Sequence, residues 1–130
     1  MTRSGEPEDW VGALVGWWKQ ALESSGYTDG CPVVGAALAA SEPGVQAAAG
    51  NAFAGWTEVL AAALAGRGVD AARASSLASF VISAVEGAIV QARATRSTRS
   101  LDDVRDNLLI LLRVDEGPRQ PPAGSPTLPQ

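Results

Sequence analysis

Helical patterning runs through almost the whole chain and leaves little room for other secondary structure. Alanine, the strongest helix former, fills long segments, and the alternating β-branched and aromatic runs that form strands do not occur. Glycine and proline divide the pattern into five segments, at about 8–24, 32–40, 43–65, 70–95 and 100–114. The sequence therefore predicts an all-α fold, a helical bundle of about five helices.

The ends of these segments indicate how the chain is organised. Asp70 and Ser100 stand where the N-caps of the fourth and fifth helices are expected. We predict a polar N-terminal lead over 1–9 and one folded domain over 10–114. A proline-rich segment over 115–130 is too poor in large apolar residues to pack a core, and we expect it to be disordered.

The charged and metal-binding residues exclude several classes of function. The chain has 14 acidic and 10 basic side chains, no histidine, and one cysteine, Cys31. Without histidine or a second cysteine there is no Ser-His or Cys-His dyad, no disulfide within the chain and no multi-cysteine zinc site. We therefore predict a protein that is not an enzyme, with no cofactor and no metal site.

The same composition bears on partners and location. A net charge of −4 with a single lysine is the opposite of the basic surface that binds nucleic acid, so no direct nucleic-acid contact is expected. The acidic N-terminus is unlike a signal peptide, and charges at Glu58, Arg67 and Glu86 interrupt the longest apolar stretches. We expect a cytoplasmic protein that makes no membrane contact.

The last two predicted helices carry wider apolar faces than one small domain needs. Pairing these faces about a two-fold axis would bury them in a four-helix bundle made by two chains, which predicts a homodimer. The alternative is that the first three helices cover the surplus face within one chain. The residues predicted at the dimer interface are Leu77, Phe80, Ala84, Gly87, Ala88, Val104, Leu108, Leu111 and Leu112.

Most of the aromatic area is concentrated in the first and third predicted helices. Large rings beside small alanine and glycine residues favour an apolar pocket that accepts a small, flat, hydrophobic ligand. The alternative is that these rings fill the core, as aromatic residues at helical spacing commonly do. The residues predicted to bind the ligand are Trp10, Trp17, Cys31, Phe53, Trp56, Leu60 and Glu86.

Glu86 is the most informative charge in the sequence. It lies inside the fourth predicted helix among apolar residues, and no basic residue stands three or four positions away. We expect its carboxylate to reach polar groups on another helix, at the pocket or across the dimer seam. The alternative is a solvent-facing position. Gly87 beside it indicates a close approach of another backbone.

Four segments, in order along the chain, resemble a known family. They are 30–42 (GCPVVGAALAASE), 53–56 (FAGW), 83–90 (SAVEGAIV) and 96–101 (RSTRSL). Together they resemble the C-terminal domain of TetR-type regulators of the LmrA/YxaF-like subgroup. The resemblance implies that residues 10–114 form an all-helical ligand-binding and dimerisation domain, whose last two helices build the four-helix bundle of the dimer.

The resemblance also implies an N-terminal helix-turn-helix domain that binds DNA. Only nine residues precede Trp10, so we expect neither that domain nor any DNA-binding residue in this chain. The predicted function is the effector-binding and dimerisation domain of a TetR-like transcriptional repressor that senses a small hydrophobic or aromatic ligand. The alternative is a stand-alone helical interaction protein that heterodimerises with an intact regulator.

Overall fold

Five α-helices make up the fold in the computed structural model, which describes residues 6–39 and 42–116. No strand occurs in this part of the chain, so the predicted all-α bundle of five helices is confirmed. The helices are α1 (Pro7–Ser24), α2 (Pro32–Ala37), α3 (Pro43–Gly66), α4 (Ala71–Thr95) and α5 (Arg99–Glu116).

The predicted helix limits agree with these bounds within one or two residues, except for α2. That helix ends at Ala37, three residues before its predicted end. The predicted N-terminal lead lies outside the described residues up to residue 5, and the predicted proline-rich tail lies outside them from residue 117. Helix α5 continues to Glu116, two residues past the predicted boundary of the folded domain.

The helix starts follow two different chemical rules. Pro7, Pro32 and Pro43 each open a helix, at the position where the missing N–H of proline costs no hydrogen bond. Helix α4 is capped as predicted, because the Asp70 carboxylate accepts a hydrogen bond from the backbone N–H of Arg73 at 3.4 Å.

The predicted cap at the start of α5 is wrong. Ser100 lies inside the helix rather than before it, and backbone bonds to the carbonyl of Thr98 close the first turn. The Ser100 hydroxyl instead donates to the carbonyl oxygen of Ala88 in α4, at 2.8 Å. Ser100 therefore joins α5 to α4 by a hydrogen bond and does not cap the start of α5.

Helix α4 is the centre of the bundle. It packs against α3, α5 and α1, while α2 packs against α3. Helix α1 runs antiparallel to α5: Lys19 Nζ lies 2.9 Å from Asp102 Oδ1 near one end of the pair, and Arg113 Nε lies 2.9 Å from Glu8 Oε1 near the other. These two ion pairs fix the register of α1 on α5.

Helix α4 also supplies the largest share of the core, with eight buried residues. By length and composition alone it is apolar enough to cross a membrane, and 39% of its most apolar stretch of 18 residues is buried inside the fold. The central helix of a folded domain meets the same criteria. The described core consists of Val11, Val15, Leu22, Leu64, Val69, Ala74, Leu77, Ala78, Val81, Val85, Ala88, Ile89, Ala92, Leu101, Leu108 and Leu112.

Candidate functional site

A cavity of about 360 Å³ lies where α1 and α3 both rest on α4. Within the described residues α1 and α3 make little direct contact with each other, so the space between them stays open. This volume is in the range of small-molecule sites in proteins. The central cavity, as we call it, is lined by Trp10, Leu14, Trp18, Cys31, Trp56, Leu60, Val81, Ile82, Val85 and Glu86.

Helix α1 presents two neighbouring stripes, one to the core and one to the cavity. Trp10, Leu14 and Trp18 follow one another at intervals of four residues, which places them on one face of a helix, and they line the cavity. The adjacent stripe, with Val11 and Val15, is buried in the core. One helix therefore anchors itself to the bundle and builds a cavity wall at the same time.

The other two walls use the same helical spacing. Trp56 and Leu60 of α3 are four residues apart and face Trp10 across the cavity. Ile82 and Glu86 of α4 are also four residues apart, and they form the base together with the valines of that helix. Three aromatic rings and aliphatic side chains give the cavity an almost wholly apolar surface.

Glu86 is the exception to that apolar surface. Its Oε2 atom is buried and has no hydrogen-bond partner among the described residues. Burial raises the pKa of the Glu86 carboxyl group, and a hydrogen bond with the Cys31 thiol lowers it. Glu86 thus lines a pocket, but the polar partner expected for it on another helix is not found at Oε2 among the described residues.

Cys31 lies at the edge of the cavity, immediately before α2, and is half-buried. Burial raises the pKa of its thiol, although hydrogen bonding to the backbone of Val34 and Val33 lowers it, and the nearby Glu86 carboxyl raises it further. A thiol with a raised pKa is a poor nucleophile at neutral pH. The thiol of Cys31 forms part of the cavity lining.

Five of the seven predicted ligand-binding residues meet at the central cavity: Trp10, Cys31, Trp56, Leu60 and Glu86. The other two lie elsewhere.

Phe53 contacts Trp56 edge-to-face, with ring centroids 5.5 Å apart, and lines an adjoining depression of about 270 Å³ that shares Ile82 and Glu86 with the cavity. Trp17 does not reach the cavity. It is 63% exposed and packs edge-on against Trp18, with ring centroids 4.9 Å apart.

Sequence reasoning missed Leu14, Trp18 and the α4 residues Val81, Ile82 and Val85. The interval of four from Trp10 through Leu14 to Trp18 is a signal that would have selected Trp18 instead of Trp17. For the α4 residues there was no such signal, because apolar residues occur on nearly every side of that helix.

A second, larger opening continues from the central cavity between α1 and α3. This lateral cleft has a volume of about 630 Å³ and shares Trp10, Trp56 and Leu60 with the cavity. Its far end reaches Arg67, whose guanidinium lies 3.4 Å from the Glu6 carboxylate.

The predicted dimer residues divide into two groups. Leu77, Ala88, Leu108 and Leu112 are buried within the chain itself, at 2% exposure or less. The others reach the surface, and most line a groove of about 420 Å³ between α4 and α5. The α4/α5 groove is lined by Phe80, Ala84, Asp103, Val104, Asn107, Leu108 and Leu111.

Phe80, Ala84 and Gly87 form one surface stripe along α4 beside this groove, at intervals of four and three residues. Phe80 is 55% exposed. A side-chain carbon added at Gly87 would meet nothing within 4 Å. The close backbone approach expected at Gly87 is therefore not made within one chain.

Comparison with known proteins agrees with the helical architecture. Residues 7–107 match the family model described as "Transcriptional regulator LmrA/YxaF-like, C-terminal domain". Uncharacterised HTH-type transcriptional regulators from two strains of Mycobacterium tuberculosis are each 32% identical to the chain over 107 residues, which is 77% of this chain and 55% of the relative.

The chain thus spans about half the length of the curated relatives it matches. No solved structure gives a significant match. The family match covers α1 to α4 and the first half of α5, and it agrees with the resemblance found in the four sequence segments. The chain belongs to the LmrA/YxaF-like family of TetR-type transcriptional regulators and contains the C-terminal domain of that family.

Proposed function

We propose that the chain is the effector-binding and dimerisation domain of a transcriptional repressor, and that the central cavity binds a small hydrophobic or aromatic ligand. The observation that carries this proposal is the cavity of about 360 Å³ with three tryptophan rings in its walls. A folded domain fills such a space with side chains unless something else occupies it, since interiors pack closely. Because the chain belongs to a family of transcriptional regulators, we infer that ligand binding at this cavity controls transcription.

The proposed dimer uses the α4/α5 groove and the stripe of Phe80, Ala84 and Gly87. An apolar surface that includes a half-exposed phenylalanine is costly to leave in water. The open space at Gly87 would allow a helix of a second chain to approach closely. In this proposal Leu77, Ala88 and Leu112 lie beneath the interface without touching the partner, while Leu108 forms part of the floor of the groove.

The two proposed surfaces lie on α4 and can therefore influence each other. Val85 and Glu86 line the cavity, while Ala84 and Gly87, their neighbours in sequence, belong to the proposed dimer surface. A ligand held between α1, α3 and α4 would favour one position of α4 over another, and the partner helices would follow. This is a direct mechanical route from ligand to dimer geometry.

The remaining parts of the proposal follow from the role of a regulator domain. Residues 10–114 are the functional unit, the protein works in the bacterial cytoplasm, and no catalytic step is assigned to it. The acidic balance of the chain argues against nucleic-acid contact by its own residues, so DNA binding belongs to a helix-turn-helix domain. Heterodimerisation with an intact regulator would use the same α4/α5 surface.

Ligand binding is tested by isothermal titration calorimetry with the neutral aromatic alcohol 2-naphthylmethanol. Leu14, at the cavity rim, is 37% exposed, so Leu14→Phe is expected to narrow the cavity without disturbing the core. We expect measurable binding to the wild-type chain and a loss of about tenfold in affinity for Leu14→Phe, because the added ring occupies ligand space.

Leu38→Phe is the matched control, because Leu38 is 77% exposed and lies outside the lining of the cavity. Its affinity should equal that of the wild type. Equal affinity for Leu14→Phe and Leu38→Phe, or no binding to the wild-type chain, would overturn the proposal.

A further inference from the structure

Glu86 is partly buried, and a purely apolar ligand would leave one of its two carboxylate oxygens, Oε2, without a hydrogen bond. Its Oε2 atom is shielded from water and accepts no hydrogen bond within the described chain. Burying a carboxylate oxygen without a partner costs free energy, and native interiors contain few such atoms. A ligand of entirely hydrocarbon character would leave this cost in place.

The described residues around Glu86 provide no positive charge. No lysine or arginine lines the central cavity or the adjoining depression, and Cys31 is the only other titratable group in either lining. The depression adds the hydroxyls of Thr57, Ser79 and Ser83. The Ser83 and Thr57 hydroxyls donate to carbonyl oxygens of their own helices.

The walls facing this carboxylate are aromatic. Trp10, Trp18 and Trp56 surround the same space, and tryptophan offers the strongest face for a cation among the aromatic side chains. A positive group placed near Glu86 would therefore meet one negative charge and several electron-rich rings. Such a combination of rings and a carboxylate recognises ammonium groups on organic molecules.

We infer that the central cavity selects an organic cation, an aromatic or aliphatic body carrying a protonated amine that donates to Glu86 Oε2. This inference rests on the proposed function, since it names the chemical class of the ligand for the same cavity. The apolar body fills the space between the tryptophans. The ammonium group provides a hydrogen-bond donor for Oε2 and a positive charge beside the carboxylate.

The assignment is tested with three ligands of one shape: 2-naphthylmethylammonium, neutral 2-naphthylmethanol and anionic 2-naphthoate. Affinities for the full chain are measured by calorimetry at pH 7. We expect the ammonium compound to bind about tenfold or more tightly than the alcohol, because hydrogen bonds to charged groups are the stronger ones. We expect the carboxylate compound to bind most weakly, because its charge repels Glu86.

Glu86→Gln keeps the shape of the side chain and removes its charge. In this variant the ammonium compound should lose its advantage and bind within about twofold of the alcohol, while the affinity for the alcohol stays nearly unchanged. Glu58→Gln is the control for lost charge, since Glu58 is exposed on α3 and lies outside the cavity lining. It should behave as the wild type.

The pH dependence gives an independent readout. Burial raises the pKa of Glu86, so its charge is lost as pH falls through that raised value. Affinity for the ammonium compound should fall over that range in the wild type and stay level in Glu86→Gln. Cys31, the other titratable group facing Glu86, has a raised pKa and remains neutral there.

The affinities of the three compounds test the cation inference and the proposed function separately. Equal affinities for the three compounds, or an ammonium preference that persists in Glu86→Gln, would overturn the cation inference while leaving the cavity as a binding site. Failure of all three compounds to bind would overturn the proposed function as well.

Discussion

Glu86 shows how one residue combines a structural cost with a candidate role. Its Oε2 atom is buried and unpartnered, and among the described residues that line the central cavity Glu86 is the one carboxylic acid. Evolution keeps few such groups without use, since replacing them with neutral side chains commonly stabilises a fold. Replacing this carboxylate should therefore change the free energy of unfolding of the ligand-free chain by a measurable amount.

Glu86→Gln should stabilise the ligand-free chain at pH 7, by at most about 1 kcal/mol, because it removes a charge from a partly buried site. The gain should shrink as pH falls. The native pKa is raised above its ordinary value of 4.5, so the native state binds the proton more tightly than the unfolded chain does. Between those two pKa values, wild-type stability therefore decreases as pH rises.

Urea denaturation of wild type and Glu86→Gln at a series of pH values measures this difference. Glu58→Gln, which removes an exposed carboxylate from α3, should show no comparable gain at pH 7. A Glu86→Gln variant that is less stable than wild type at pH 7 would mean that the carboxylate has a partner in solution.

At the scale of the elements, two polar contacts hold neighbouring helices in place. One is the hydrogen bond from Ser100 in α5 to the carbonyl of Ala88 in α4. Ser100→Ala should cost about 0.5–1.5 kcal/mol, since it removes a part-buried hydrogen bond between two helices. Thermal or urea unfolding measures the change.

Ser83→Ala is the matched control for Ser100→Ala. The Ser83 hydroxyl is exposed and donates at 2.9 Å to the Ser79 carbonyl of its own helix, so its removal should change stability little. Equal effects of the two substitutions would show that Ser100 does not join α5 to α4.

The second contact is the ion pair of Lys19 and Asp102, which joins α1 to α5. The hydrogen bond from Lys19 lowers the pKa of Asp102, with further lowering by the charges of Lys19 and Arg105. Asp102→Asn should cost less than about 1 kcal/mol, because the pair is about one-third exposed and screened by solvent. The loss should be smaller at high salt.

A lowered native pKa fixes the pH range of this effect. The stabilisation by Asp102 is present above the ordinary aspartate pKa of 3.8 and is lost as pH falls through the lower native value. Asp103→Asn is the control, because Asp103 is the next residue of α5 and its ion pair with Arg99, 3.8 Å long and exposed, stays within that helix. Equal losses at Asp102 and Asp103 would assign the effect to the helix dipole.

How much of the architecture the sequence predicts depends on the type of signal. Helix positions follow from local rules, so the proline starts, the Asp70 cap and the breaks between helices are readable in advance. Ser100 was misassigned because its partner, Ala88, is twelve residues away and on another helix. Local cap rules contain no information about such a contact.

The cavity residues show the same division. Glu86 could be selected from the sequence alone, because it is an acidic residue among apolar ones with no basic residue three or four positions away. Choosing Trp18 over Trp17 requires knowing which side of α1 rests on α4, and adjacent positions differ by about 100° around a helix. The sequence does not show which apolar residues of α4 lie in the core, in the cavity wall or at the surface, because all three places contain the same residue types.

At the scale of the whole molecule, the proposed function requires a dimer that forms through α4 and α5. Phe80→Glu should convert a dimer into a monomer, or weaken association by at least about tenfold, because it places an unpaired charge in an apolar interface. Sedimentation velocity measures the assembly state, and far-UV circular dichroism confirms that the helices are retained.

Val59→Glu is the control for Phe80→Glu. Val59 is 74% exposed on α3 and lies outside the lining of the α4/α5 groove, so the substitution should leave the dimer intact. A wild-type chain that sediments as a monomer, or a Phe80→Glu variant that dimerises as the wild type does, would contradict the proposed interface.

The central claim is that a small apolar ligand occupies the space between α1, α3 and α4. The chain contains four tryptophans, of which Trp10, Trp18 and Trp56 line that space while Trp17 is 63% exposed outside it. Their four indole N–H groups are separate reporters in a ¹⁵N-correlated NMR spectrum, assigned with single Trp→Phe variants.

Titration with 2-naphthylmethanol to saturation while recording these four signals is the most direct measurement. We expect large shifts for Trp10, Trp18 and Trp56 and the smallest shift for Trp17, whose ring contacts the site only through Trp18. Four unmoved signals, or a largest shift at Trp17, would contradict it.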